Sequence, residues 1–134
     1  MTILNGPGPF QAASAWLSAP RALRVLEGLG LDRLRRHNVE LAVAGQLEVA
    51  AALQVSTADL PRDSGVSMQL VPLPEGVADT PAAAGALQDR IGEQAAVEVA
   101  ISSFDGRGYV RLSAHAYNAP ADYRRLAADL PGLL

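Results

Sequence analysis

The chain has 134 residues, 49% of them hydrophobic, with a formal net charge of −3 and a pI near 5.2. That is enough for one domain with a core, too apolar for a disordered chain, and an argument against a nucleic-acid partner. There is no Cys, which excludes disulfides, thiolate metal sites and Cys nucleophiles. All eleven basic residues are Arg, so no side chain can form a Schiff base with an aldehyde cofactor or a carbonyl substrate. No apolar run approaches membrane-spanning length and the N-terminus lacks the basic start of a signal peptide, so a cytoplasmic protein with no membrane partner is expected.

Met1–Pro9 (MTILNGPGP) reads as a Gly/Pro-rich lead-in with little reason to be ordered alone; residues 1–10 are taken as this flexible lead-in and 11–134 as a single domain. From Gln11 to about Leu29 the pattern is helical. Trp16, Ala19, Leu23 and Leu26 share a face, Pro20 is expected to kink or divide the helix, and Gly28 and Gly30 mark its end. A longer helix runs from Leu31 to about Leu53, with Asp32 in its first turn. Its first half is amphipathic through Leu34, Asn38 and Leu41. Its second half, AVAGQLEVAAAL, is apolar almost all round, which predicts cover on more than one side.

Gln54–Gly65 is a polar connection. A strand is predicted at about Val66–Leu73, with Val66, Met68 and Leu70 on one face and Pro72 and Pro74 closing it. After the loop Glu75–Thr80, Thr80 suits an N-cap and Pro81 the first position of a helix to about Gln94, with Leu87 and Ile91 inward. The next strand, Val97–Ser103, places Val97, Val99 and Ile101 on one face. Asp105-Gly106 is a two-residue hairpin turn, which sets Ile101 opposite Val110, Val99 opposite Leu112 and Arg111 opposite Ala100. Val110, Leu112 and Ala114 then face a core, and Tyr109, Arg111 and Ser113 stand on the other face. The chain turns at His115-Ala116-Tyr117-Asn118 and enters a helix at Pro120. Asp122 lies in its first turn, Tyr123, Leu126, Ala127 and Leu130 form its apolar stripe, and Pro131-Gly132 stops it.

This order gives an α+β fold: a two-layer sandwich of a small, mainly antiparallel three-stranded sheet with helices on one face. The open face carries Gln69, Glu98, Tyr109, Arg111 and Ser113. A guanidinium fixed between two hydroxyls is a good seat for a carboxylate, because its planar fork donates two parallel hydrogen bonds. The same pattern also fits an Arg solvated on the wet side of a sheet, or one paired with Glu98 diagonally across the hairpin. His115 follows the strand and falls near any ligand held there. His37 and His115 have no metal-ligand spacing, no Ser-His-acid arrangement is identifiable, and Asp105–Gly108 links two strands rather than cradling a phosphate.

From Leu87 to the C-terminus the chain resembles the end of class V aminotransferase-fold enzymes, the pyridoxal-phosphate family that includes isopenicillin N epimerase-like proteins and cysteine desulfurases. The pieces that carry it are Leu87-Gln88-Asp89-Arg90, Val97-Glu98-Val99, Asp122-Tyr123 and, above all, the run from Tyr109-Val110-Arg111-Leu112-Ser113 to Tyr117-Asn118. Upstream, the run from Ala15 to Leu23 resembles the helix that begins the family's small domain. Leu29-Gly30-Leu31 and Arg36-His37-Asn38 through Leu41-Ala42 resemble the next part of that domain, and Met68 to Pro74 is similar to its first strand. The likeness therefore spans roughly Ala15 to Leu130.

The resemblance implies the small domain of a pyridoxal-phosphate enzyme acting on an amino acid, with Arg111 binding the substrate α-carboxylate and Tyr117 and Asn118 as corner residues. It also implies that the cofactor lysine, the acidic partner of the pyridine nitrogen and the aromatic stacking residue belong to a large domain, none of which this chain contains. The family's phosphate-holding Gly-Thr-x-Asp stretch is here Gly8-Pro9-Phe10-Gln11-Ala12, and Ala119 replaces a helix-capping Thr. The chain is therefore expected to bind no cofactor by itself, to be inactive in isolation and to need a lysine-bearing large domain or split subunit. The alternative is a non-catalytic ligand-binding or dimerisation module that uses the open sheet face, a homodimer being suggested by the apolar second half of the long helix.

Overall fold

The computed structural model describes residues 9–60 and 65–134. They fall into two compact units, divided between Leu34 and Arg35. Residues 1–8 of the lead-in, and the Pro61 of the polar connection, lie outside the described residues.

In the first unit, helix α1 (Pro9–Leu29) continues through Pro20 and is not divided there. Pro20 removes the N–H that would have bonded the carbonyl four residues earlier, a loss that one exposed helix can tolerate. Gly30, at φ +80, breaks α1 from helix α2 (Leu31–Ala52), because that left-handed conformation is open to glycine at little cost.

In the second unit the chain continues along α2 and then forms β1 (Met68–Pro72), α3 (Pro81–Ala95), β2 (Ala100–Phe104), β3 (Arg107–Ser113), α4 (Pro120–Asp129) and a 3₁₀ turn, Leu130–Leu133. The strand order is β1-β3-β2, with both neighbours antiparallel. This is the expected α+β sandwich. Val71, Leu73, Ile91, Val110, Leu112 and Leu130 form the dry centre between sheet and helices. Asp105 and Gly106 both take positive φ, which suits the right-handed twist of a tight hairpin, and Ile101 pairs with Val110 and Ala100 with Arg111 as expected.

β1 faces the other way from the expectation. Gln69 is 3% exposed and Met68 46%, and Val66 is likewise outside. The register sets Gln69 opposite Leu112 and Val71 opposite Val110. Burying Val71 and Leu73 fixes the alternation, and that alternation carries Gln69 inward and Met68 and Leu70 to the open face. Gln69 therefore does not belong to the open face. The second half of α2 is also covered on one side only. Leu41, Ala42, Val49 and Ala50 are buried, whereas Val43 and Leu47 are exposed.

Both sheet edges are closed by a glutamine. β1 turns the backbone groups of Leu70 away from β3, and Gln46 of α2 donates to the Leu70 carbonyl at 2.7 Å. β2 turns the Ile101 N–H away from β3, and Gln88 of α3 accepts it at 3.0 Å. Pro72 sits where its missing N–H would have pointed outward, so it costs the ladder nothing. These contacts leave little edge for a foreign strand to pair with.

Candidate functional site

The site is built at the far end of β3. Leu112 and Val110 anchor that strand in the core, which projects Arg111 and Ser113 from the opposite face. The chain then turns on Asn118, whose side chain accepts the His115 N–H at 2.9 Å while its own N–H bonds the His115 carbonyl. Helix α4 starts without a capping side chain at Ala119. Asp122 supplies half of a capping box instead, accepting the Ala119 N–H at 2.9 Å.

Tyr123, one residue later, is buried and donates its hydroxyl to the Ser113 carbonyl at 2.7 Å. Burial, reinforced by the nearby Asp122 carboxylate and Tyr117, raises its pKa above the ordinary value of 10.0. Its ring lies against Gly45 of α2, so closely that a Cβ there would sit 2.7 Å from Cγ and 2.9 Å from Cε1. The end of β3 is thus tied through one side chain to two helices.

Beside it opens a cleft of about 540 Å³, lined by Arg111, Ser113 and Tyr117 with Glu98, Val99 and Tyr123 among the other walls. Arg111 is exposed, and among the described residues no carboxylate lies within ion-pair distance of it. The Glu98 pair that the hairpin register allows does not form. Of the residues singled out from the sequence, Arg111 and Ser113 share the cleft. Tyr109 stands two residues back on the same face, between Pro72 and Ser102, and is not in the lining. His115 opens the corner and is not in the lining, its ring stacked on Tyr117 at 4.9 Å between centroids.

Tyr117 and Tyr123 enter the lining from positions that strand periodicity does not reach. Tyr117 is 82% exposed, so its ring is not part of the core. Chemically the cleft offers the Arg111 cation, hydroxyls and an apolar wall beside the carboxylates of Glu98 and Asp122, of which Asp122 is engaged by the Ala119 N–H; the guanidinium is the group there that can take a small carboxylate. Among the described residues, no cluster of His, Asp or Glu is arranged to hold a metal, and no helix is long and apolar enough to cross a membrane. No family model matches the chain, and no curated protein matches it.

Proposed function

We propose that the chain serves as the small domain of a pyridoxal-phosphate-dependent, class V aminotransferase-like enzyme, and that Arg111 anchors the carboxylate of its amino-acid substrate. The observation that carries this reading is the state of Arg111: exposed, held on the central strand, unpaired among the described residues and set at a cleft of about 540 Å³. A surface Arg with no structural partner contributes little to the fold, and its guanidinium is free to take a ligand carboxylate. The chain's own residues do not fit the cofactor, because there is no Lys to receive its aldehyde. Pyridoxal phosphate and catalysis would require a lysine-bearing large domain, covalently joined or supplied as a partner, and a cytoplasmic setting suits such an enzyme.

The test is an NMR titration of the chain with sodium acetate and with L-alanine. Arg111 Nε–H and the neighbouring backbone amides should shift and saturate, and Arg111→Ala should abolish the response. Saturable shifts that persist in Arg111→Ala would remove the assignment. A second reading, a homodimeric binding module, is favoured by one observation: Val43 and Leu47 of α2 are exposed, as are Val66 and Met68 at β1. Light scattering decides it, since a monomer at high concentration would leave it without support.

A further inference from the structure

Tyr109, Val110 and Arg111 are paired on both sides, but Leu112 and Ser113 at the end of β3 are paired with β1 alone. The odd-numbered residues of β3 turn their backbone groups toward β2, because the even-numbered Gly108 and Ala114 bond Leu73 and Ser67 on the β1 side. Continuing that register would set Ser113 against Glu98. Instead β2 begins only at Ala100, although the sequence reads as strand from Val97. Ala96 caps α3 in a left-handed conformation at φ 51, and segment 97–99 runs past β3 without joining it. The Ser113 carbonyl, which Glu98 N–H would otherwise reach, accepts the Tyr123 hydroxyl. Among the described residues nothing accepts the Ser113 N–H, and nothing accepts the Glu98 N–H.

The gap between segment 97–99 and the end of β3 is part of the cleft that Arg111 lines. Tyr123 is well placed to hold the gap open. Its ring is seated on Gly45, and its hydroxyl is held 2.7 Å from the carbonyl. An unpaired N–H next to a guanidinium is also a natural second donor to a carboxylate, which has four lone-pair sites to fill.

We propose that Tyr123 is a positioning residue that keeps the cleft open: by tying the Ser113 carbonyl to α4 it holds the end of β3 away from segment 97–99, and so leaves the Ser113 N–H, in the same cleft as Arg111, as a second donor to the bound carboxylate. The inference rests on the carboxylate reading for its ligand, but the opening itself can be tested without one.

Tyr123→Phe keeps the ring on Gly45 and removes only the hydroxyl. Amide hydrogen exchange followed by NMR should find the Glu98 and Ser113 amides fast-exchanging in the unsubstituted chain and slowed about tenfold or more in Tyr123→Phe, as the two strands pair. Acetate binding, read from Arg111 Nε–H, should weaken about tenfold in the same variant. Simple loss of stability would speed exchange, the opposite sign. Glu98 and Ser113 amides already protected in the unsubstituted chain, or unchanged or faster in Tyr123→Phe, would overturn the proposal. Absence of any acetate response at Arg111 in the unsubstituted chain would instead overturn the carboxylate reading, while the exchange comparison still decides the role of Tyr123.

Discussion

Replacing Gly45 by Ala should destabilise the second unit, although the same substitution in a helix normally does the reverse. In an exposed helix interior, Gly→Ala gains about 0.5–1 kcal/mol through backbone entropy. Gly85 of α3 offers that case, since a Cβ there meets nothing within 4 Å. At Gly45 the added methyl would fall 2.7 Å from Tyr123 Cγ, and the ring would have to retreat by about 1 Å to restore ordinary contact. Overpacking of this kind costs about 1–3 kcal/mol. The retreat also strains the Tyr123–Ser113 hydrogen bond, worth about 0.5–1.5 kcal/mol net. Offsetting the helix gain, Gly45→Ala should lose about 1–3 kcal/mol while Gly85→Ala gains a few tenths to 1. Urea unfolding followed by far-UV circular dichroism reads both as midpoint shifts of opposite sign at an unchanged slope. A Gly45→Ala midpoint equal to or above the unsubstituted one would refute the packing of Tyr123 on α2.

Other consequences can be checked on the same chain. Asp122→Ala removes the carboxylate that accepts the Ala119 N–H and should cost about 0.5–2 kcal/mol in urea unfolding, while Ala119→Ser should recover part of it by supplying the missing cap. Gln46→Leu should cost about 1 kcal/mol by leaving the part-buried Leu70 carbonyl without its donor, with raised light scattering if the bared edge of β1 then pairs between molecules. Because the folded-state pKa of Tyr123 is raised above 10.0, its contribution to stability is complete below pH 10 and is lost as pH rises through the raised value. The midpoint of the unsubstituted chain should therefore fall relative to that of Tyr123→Phe in alkaline urea titrations, and a difference constant to pH 11 would contradict the burial of that hydroxyl. Arg111→Ala should leave the urea midpoint within about 0.5 kcal/mol, since the side chain is exposed and unpaired among the described residues.

The parts of the fold legible in the sequence are those set by local forces. Asp105-Gly106 states a turn in two residues, and the apolar alternation on either side agrees with it, so the hairpin and its register can be read directly. Thr80-Pro81 and the Tyr123–Leu130 stripe are local in the same sense. β1 is not. Val66, Met68 and Leu70 alternate as convincingly as Gln69, Val71 and Leu73, and only pairing with Val110 and Leu112 decides which set is buried. Arg111 could be placed because its strand neighbours fix its face, whereas the cleft beside it could not. The opening depends on a hydroxyl ten residues further on reaching back to the Ser113 carbonyl, and neither turn chemistry nor periodicity records such a bond.

Tyr123 therefore belongs to the core and to the cleft at once, and this has a physical cost on each side. A closed ladder at Glu98 and Ser113 would satisfy two N–H groups that find no acceptor among the described residues, a sacrifice on the order of 1 kcal/mol for each bond not made. Leucine at 123 would fill the apolar space without holding the strands apart, so core packing alone does not require a tyrosine. Gly45 likewise gives up helix propensity to admit the ring. Two departures from the most stable choice thus converge on the same hydroxyl, and the hydroxyl's effect is to leave an N–H open next to an unpaired guanidinium. Stability forgone at one place in a fold is most simply explained by what that place binds.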